Sequence, residues 1–412
     1  MRPSTSIAEP TQREPVWPAL LAGIMATLVG IGLARFAYTP LIPVLVQADW
    51  FTASDAVYLG AANLLGYLIG ALSAHRLTER FAPNLVVPLC LVVIVSSFLL
   101  CAWPAGFYWF FVWRVLSGVA GAILMVVVPS LALSRTPAGQ RTLVGTLVFS
   151  GIGIGAALSA VVVPALLSLS LSVTWLTLAG LSFVCAVACD VGLRRMPKND
   201  QIANQNLASV NHTDHAVAEP ARLTRAIVVL VMLAYALDAA GFVPHTVFWV
   251  DYLARENEFG QAAASWQWAI FGLGATCGPL LVGLAAQRFG LERGLTYAFL
   301  IKAIAIMLPV MSLALTSQVL SSFIVGALGP GIGALTSGRL AQIVGPRRHK
   351  QVWGQATGAF AAAQAASGYI MSSGYELLGT YTPLYGVASG LLAVGAVLVM
   401  VSGKGIKQKF GP

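Results

Sequence analysis

Six residues have types and spacing that point to chemistry. They are Arg35, Tyr38, Arg114, Tyr235, Asp238 and His245, all embedded in long apolar runs. A guanidinium at the centre of a bilayer costs about 2.5–3.5 kcal/mol on insertion scales, so Arg35 is expected to face a partner or a solute path rather than lipid. Its surroundings, LVGIGLARFAYTPLIPVLV from Leu28 to Val46, add Tyr38 one turn on, prolines at Pro40 and Pro43, and glycines at Gly30 and Gly32 that admit a second backbone. Asp238 is the acid placed deep in a span. At 100° per residue, Tyr235, Asp238, Phe242, His245 and Trp249 form one stripe.

Each candidate has a structural and a functional reading. Tyr38-Thr39-Pro40 aligns with Phe242-Val243-Pro244, which puts Asp238 opposite Ala34, beside Arg35. Arg35 and Asp238 are therefore expected at similar depth on opposing halves. They form either a structural ion pair or a carboxylate that loses and gains a proton during transport. His245, two turns from Asp238, is a second proton carrier, a hydrogen-bond donor to substrate, or simply packed. Arg114 either joins Arg35 in presenting a surplus cation, which suits a carboxylate, or is neutralised by carbonyls or water. Lys302 is expected to snorkel to the headgroups, and Arg339 to sit at an inner gate or interface. Gln364 and Asn63 are expected to form interhelical hydrogen bonds.

The elements that position these residues follow from composition. The chain has 412 residues, 58% hydrophobic and only 9% charged, against about 25% charged in average proteins. That excludes a soluble domain. The polar opening residues predict no cleavable signal peptide. At about 20 residues per crossing, twelve helices are expected, over 17–46, 55–75, 84–103, 107–133, 143–167, 171–193, 225–250, 264–286, 294–316, 319–343, 352–373 and 382–402. Tryptophans 17, 50, 103, 249, 266 and 268 near span ends suggest an interfacial belt. Asp190, close to Arg194 and Arg195, reads as interfacial. Cys185 and Cys189 read as packed residues.

Of the 24 Lys and Arg, four fall inside spans, and 19 of the remaining 20 lie on one side; Arg255 is the exception. The positive-inside rule then places both termini and the long loop 194–224 in the cytoplasm. It also accounts for the net charge of +9 without nucleic acid. The chain divides into 1–193, 194–224 and 225–412. The halves repeat: GYLIGALSAHRL (66–77) aligns without gaps to GPLLVGLAAQRF (278–289), and Pro137, Arg141 and Gly145 match Pro346, Lys350 and Gly354 in residue or charge. The glycines and Pro330 between Gly326 and Gly333 suit bending or close packing.

Twelve helices, a central cytoplasmic loop and a 6+6 repeat resemble the major facilitator superfamily. The loop motif Gly-x-x-x-Asp-Arg-x-Gly is similar to Gly283-Leu-Ala-Ala-Gln287-Arg288-Phe-Gly290, with Gln for Asp; the first copy, from Gly70 to Arg80, lacks the acid. The helix 4 motif is similar to Arg114-Val-Leu-Ser-Gly118-Val-Ala-Gly121, and the helix 5 Gly-Pro pair of antiporters is missing. Gly32-Leu-Ala-Arg35-Phe-Ala-Tyr38-Thr-Pro40-Leu-Ile-Pro43 resembles the YbfB/YjiJ branch. The resemblance implies an all-α membrane protein of two pseudo-symmetric six-helix halves, with helices 1, 4, 7 and 10 lining a central cavity. It further implies a monomer in a bacterial-type inner membrane, working by alternating access. It gives Arg114 a role in coupling or packing against helix 1; the loop-motif residues, with Arg339 from its place near the inner end of helix 10, form a gating or loop-motif group.

The expected function is secondary transport of a small solute, with symport of a small organic anion and protons leading. A proton-coupled exporter of a drug or metabolite, a facilitator, and a solute-binding sensor remain as alternatives. No Gly-x-x-x-x-Gly-Lys loop, His-Glu-x-x-His or Gly-x-Ser-x-Gly motif occurs, so no enzyme, cofactor or metal is expected.

Overall fold

The computed structural model describes residues 16–137, 140–166, 169–196 and 222–410. The charges of the N-terminus and most of the 194–224 loop, on which the expected orientation partly rests, lie outside these residues. The described chain forms helices α1 (Trp17–Gln47), α2 (Ala53–Arg80), α3 (Pro83–Leu100), α4 (Phe107–Ser134), α5 (141–166), α6 (Leu171–Arg195), α7 (Thr224–Glu256), α8 (Gly260–Phe289), α9 (Leu291–Met311), α10 (Leu315–Gly345), α11 (346–378) and α12 (Thr382–Phe410). Ten of the described helices are long and apolar enough to cross a membrane. The other two, α5 and α11, are the expected spans 143–167 and 352–373. Helices α10 and α11 meet at Gly345, whose φ of 73° is open to glycine at little cost.

Helix α1 is irregular where its prolines fall. A π-helical turn over Leu28–Leu33 is followed by a 3₁₀ stretch over Phe36–Leu41 before regular helix resumes at Ile42. Proline removes a donor and crowds the preceding turn, so the chain changes pitch. Helix α7 repeats the behaviour with a π-helical turn at Pro244–Phe248.

The repeat read from sequence has a packing counterpart. A Cβ on Gly66 would lie 2.0 Å from the Val115 carbonyl oxygen, and one on the aligned Gly278 would lie 2.1 Å from that of Ala327. Thus α2 presses on α4 as α8 presses on α10. The first six helices meet the last six along α2–α11 and α5–α8. At the end opposite the basic loops, α1 also meets α7, where Thr39 Oγ1 donates to the Thr246 carbonyl at 2.5 Å. Nearby, Gln261 Nε2 donates to the Pro40 carbonyl at 2.8 Å.

The expected tryptophan belt fails at two of its members. Trp249 and Trp268 are fully buried and belong to the core, whereas Trp17, Trp103 and Trp266 are exposed as a belt requires. Position near a span end did not separate them because α7 and α8 turn those faces inward. Asp190 does pair with Arg194, at 2.6 Å. Cys189 packs with its Sγ 3.4 Å from the Ala22 carbonyl.

Candidate functional site

The change of pitch in α1 builds the first part of the site. Tyr38 N–H bonds to the Arg35 carbonyl, so the Ala34 carbonyl loses its usual partner four residues on. Arg114, from α4, fills that vacancy: Nη1 donates to Ala34 O at 2.7 Å and Nε to Leu59 O at 3.3 Å. Its guanidinium lies 4.1 Å from the Tyr38 ring centroid, and Tyr38 in turn donates to the Ala56 carbonyl at 2.9 Å. Asn63 holds the Arg114 carbonyl at 3.2 Å and Ser117 Oγ at 3.0 Å. Arg114 therefore joins α1, α2 and α4, with at least two of its donors spent on backbone. Arg114→Lys should leave one carbonyl unpaired, costing about 1–3 kcal/mol. We expect a lower melting temperature and unchanged solute affinity in the protein that remains folded. Calorimetry and a binding titration check this.

Arg35 is also buried, and it does not reach Asp238. Its Nη1 donates to Gln364 Oε1 of α11 at 3.0 Å, across the two halves. Nε and Nη2 have no acceptor, and Gln364 Nε2 likewise has no hydrogen-bond partner. The rings of Phe36 and Tyr67 flank the guanidinium at 5.4 and 5.9 Å. A cavity of about 10 Å³, room for roughly one water, lies between the halves, with Arg35, Arg114, Thr39 and Thr246 among its lining residues.

Asp238 is paired with Lys302 instead, Oδ1 to Nζ at 2.7 Å, both fully buried. This corrects two expectations, the Arg35–Asp238 pair and a snorkelling Lys302. Helix α9 begins at Leu291 rather than 294 and ends at Met311 rather than 316. Lys302 is therefore about 16 Å from its start, at 1.5 Å per residue, near the middle of α9 and facing α7. Its ammonium also sits 3.9 Å from the Phe242 ring centroid. Asp238 Oδ2 has no hydrogen-bond partner.

Two turns beyond Asp238, His245 Nε2 meets Ser321 Oγ of α10 at 2.8 Å, while Nδ1 is unpartnered. The imidazole stacks on Trp249, whose Nε1 donates to Ser322 at 3.1 Å, and Ser322 donates to Gln267 at 3.2 Å. Tyr235 stacks with Trp353 and Phe360 of α11. The sequence stripe is thus a real face, but it splits: Tyr235 meets α11, Asp238 meets α9, and His245 meets α10.

The motif residues lie at the basic end. Gln287 and Arg288 are exposed, and Gly290 takes a φ of 81° between α8 and α9. A Cβ at Gly283 would meet nothing. Arg339 binds Glu292 of α9 at 2.8 Å, within the last six helices. From sequence, Gln364 reads as an interhelical hydrogen-bonding residue and Lys302 as a snorkelling one. Ser321 and Gln267 were missed, since a lone serine or glutamine in an apolar run carries no signal of its own.

The family model described as "Uncharacterised MFS-type transporter YbfB" matches residues 27–400. No curated protein sequence matches the chain. Among solved structures, a crystal structure of a D-xylose–proton symporter is similar with a TM-score of 0.71 at 16% identity, over 93% of this chain and 96% of that one. A partially occluded inward-open conformation of the xylose transporter XylE from E. coli is similar with a TM-score of 0.69 at 15% identity, over 96% and 98%. At such identities the likeness is one of fold.

Proposed function

Because the chain belongs to the family of MFS-type transporters described by YbfB, and so is a multi-pass secondary transporter of a small solute, we propose that it is a proton symporter of a small organic anion. The supporting observation is the division of labour among the buried charges. Lys302 compensates Asp238, Arg114 is spent on carbonyls, and Arg35 keeps two buried nitrogens without acceptors. An anion at Arg35 and a proton at Asp238 are two separate cargoes on opposing halves.

The chemistry follows from the pair. A carboxylate in an apolar interior is held charged by a cation beside it and takes a proton when that cation withdraws. Lys302 comes from α9 and Asp238 from α7, both in the last six helices, so the reading requires these two helices to shift against each other within that half as the halves rock. The solved neighbour described as a proton symporter supports proton coupling by analogy of fold. The reading includes two six-helix halves, 1–193 and 225–412, rocking as a monomer in an inner membrane, with the basic end and both termini cytoplasmic. His245 and Tyr235 belong to the proton side, and Arg339, Gln287 and Arg288 with Gly283 and Gly290 to the basic-end gate.

The test is lumenal pH in proteoliposomes with a trapped dye, on adding organic anions outside, for the natural protein and for Asp238→Asn. Acidification by an anion that the variant abolishes is the expected result. Alkalinisation on solute addition would indicate antiport. A full response in Asp238→Asn would remove Asp238 as the proton carrier.

A further inference from the structure

The free edge of Arg35 narrows the solute. In a guanidinium, Nε and Nη2 form the side-on pair of donors that matches the two oxygens of one carboxylate. In Arg35 this edge is buried and has no acceptor, while the remaining nitrogen, Nη1, is held by Gln364 from the opposite half at 3.0 Å. Arg35 is itself only 8% exposed and Gln364 1%. Leaving such donors unpaired in an apolar interior is costly, so the arrangement is primed for an anion rather than satisfied by the fold.

The neighbouring groups restrict both the charge and the body of that anion. Among the described residues the other buried cations are Arg114, Lys302 and Arg339: Arg114 is engaged by two backbone carbonyls, Lys302 by Asp238, and Arg339 by Glu292 through Nη2, with its Nε lacking an acceptor, so Arg35 is the buried cation whose whole side-on edge is unpaired. One side-on fork takes one carboxylate. A second carboxylate would have to lie against Phe36 or Tyr67, the rings that flank the guanidinium. Phe36 continues edge-on into Trp268 and Phe271, at 5.6 and 5.7 Å between ring centroids. These walls suit an apolar, flat body, and the polar groups beside them, the Tyr67 hydroxyl and Gln364 Nε2, are neutral and give a second negative group no cation.

Resting on the reading of Arg35 as the anion site, we propose that the solute is a monocarboxylate with an apolar or aromatic body, its carboxylate held side-on by Arg35. Gln364 is a positioning residue that aims the guanidinium from the other half. The 10 Å³ cavity beside Arg35 is bounded by α1, α2 and α4 on one side and by Thr246 and Val247 of α7 on the other. On the side of Thr246 and Val247 the solute therefore enters when α7 withdraws, and its carboxylate is contacted by groups whose spacing depends on the relative position of the halves.

Binding to the purified full chain, read as a thermal shift and by titration calorimetry at fixed pH, tests this without any transport step. The probes are benzoate, phenylacetate, cinnamate and octanoate, with benzamide, isophthalate and succinate as comparisons. At least one monocarboxylate is expected to bind about tenfold or more tighter than benzamide, isophthalate and succinate. Arg35→Lys should lower that affinity by about tenfold or more, since an ammonium lacks the fork. Gln364→Leu should lower it less, and its melting temperature without ligand reports whether it has folded. Equal binding of isophthalate or benzamide, unchanged affinity in Arg35→Lys, or no binding by any monocarboxylate would overturn the assignment. If succinate or isophthalate binds and drives proton uptake, this inference falls and symport stands. If a monocarboxylate binds as expected but moves no protons, this inference stands and symport falls.

Discussion

Lys302→Met should give a protein that is poorly inserted or melts far below the natural chain, and the double variant Asp238→Asn/Lys302→Met should recover most of the loss. The single change leaves Asp238 in an apolar interior with neither oxygen partnered, since Oδ2 already lacks a hydrogen bond. Breaking a buried pair from one side costs about 3–5 kcal/mol, against a total stability of about 5–15 kcal/mol for typical domains. Neutralising both ends removes the stranded charge, and such replacements are often close to neutral. The double variant should nevertheless fail to couple solute to proton movement, because no carboxylate remains. Melting temperature, membrane yield and the trapped-dye assay on the three proteins separate folding from coupling. Two charge swaps sharpen the result. Asp238→Lys/Lys302→Asp should recover folding only in part, because it sets a carboxylate against the negative face of Phe242, where the ammonium now lies at 3.9 Å. Arg35→Asp/Asp238→Arg should recover nothing, because those two residues do not meet.

Gly153→Leu should abolish transport by wedging the halves apart. Helices α5 and α8 cross at glycine, and a Cβ on Gly153 would lie 2.4 Å from the Gly272 carbonyl oxygen and 2.4 Å from Thr276 N. From the other side, a Cβ on Gly272 would lie 2.6 Å from Ala157 N. Backbone cannot retreat as a flexible side chain can, so the helices themselves must part. Overpacking typically costs about 1–3 kcal/mol, and each 1.4 kcal/mol lowers the closed arrangement about tenfold in population. The readout is labelling of Thr39→Cys by a membrane-impermeant maleimide in a protein whose five native cysteines are replaced. Thr39 is 1% exposed and bonded to α7, so labelling should be slow in the parent and rise about tenfold or more with Gly153→Leu. Gly180→Leu is the control, because a Cβ there meets nothing within 4 Å. Equal labelling in the parent and the Gly153 variant would mean that α5–α8 contact does not govern closure at Thr39.

The sequence by itself determined the class, the helix count and the repeat. These rest on local or periodic signals: apolar runs of bilayer length, charges confined to loops, and Gly66 and Gly278 recurring where helices touch. It also marked Arg35, Asp238 and Arg114, since a charge in an apolar run is conspicuous wherever it points. The identity of each partner was beyond it. Asp238 takes Lys302 from α9, Arg35 takes Gln364 from α11, and Arg114 takes carbonyls of α1 and α2. Each pairing joins residues more than fifty positions apart. Each is set by helix rotation, by helix ends that moved three to five residues, and by the π-helical and 3₁₀ turns of α1 that free the Ala34 carbonyl. One residue of rotation is 100° on a helix, enough to turn a lysine from the headgroups to a buried carboxylate. Only the packed helices decided which of the buried cations was left without an acceptor along its binding edge.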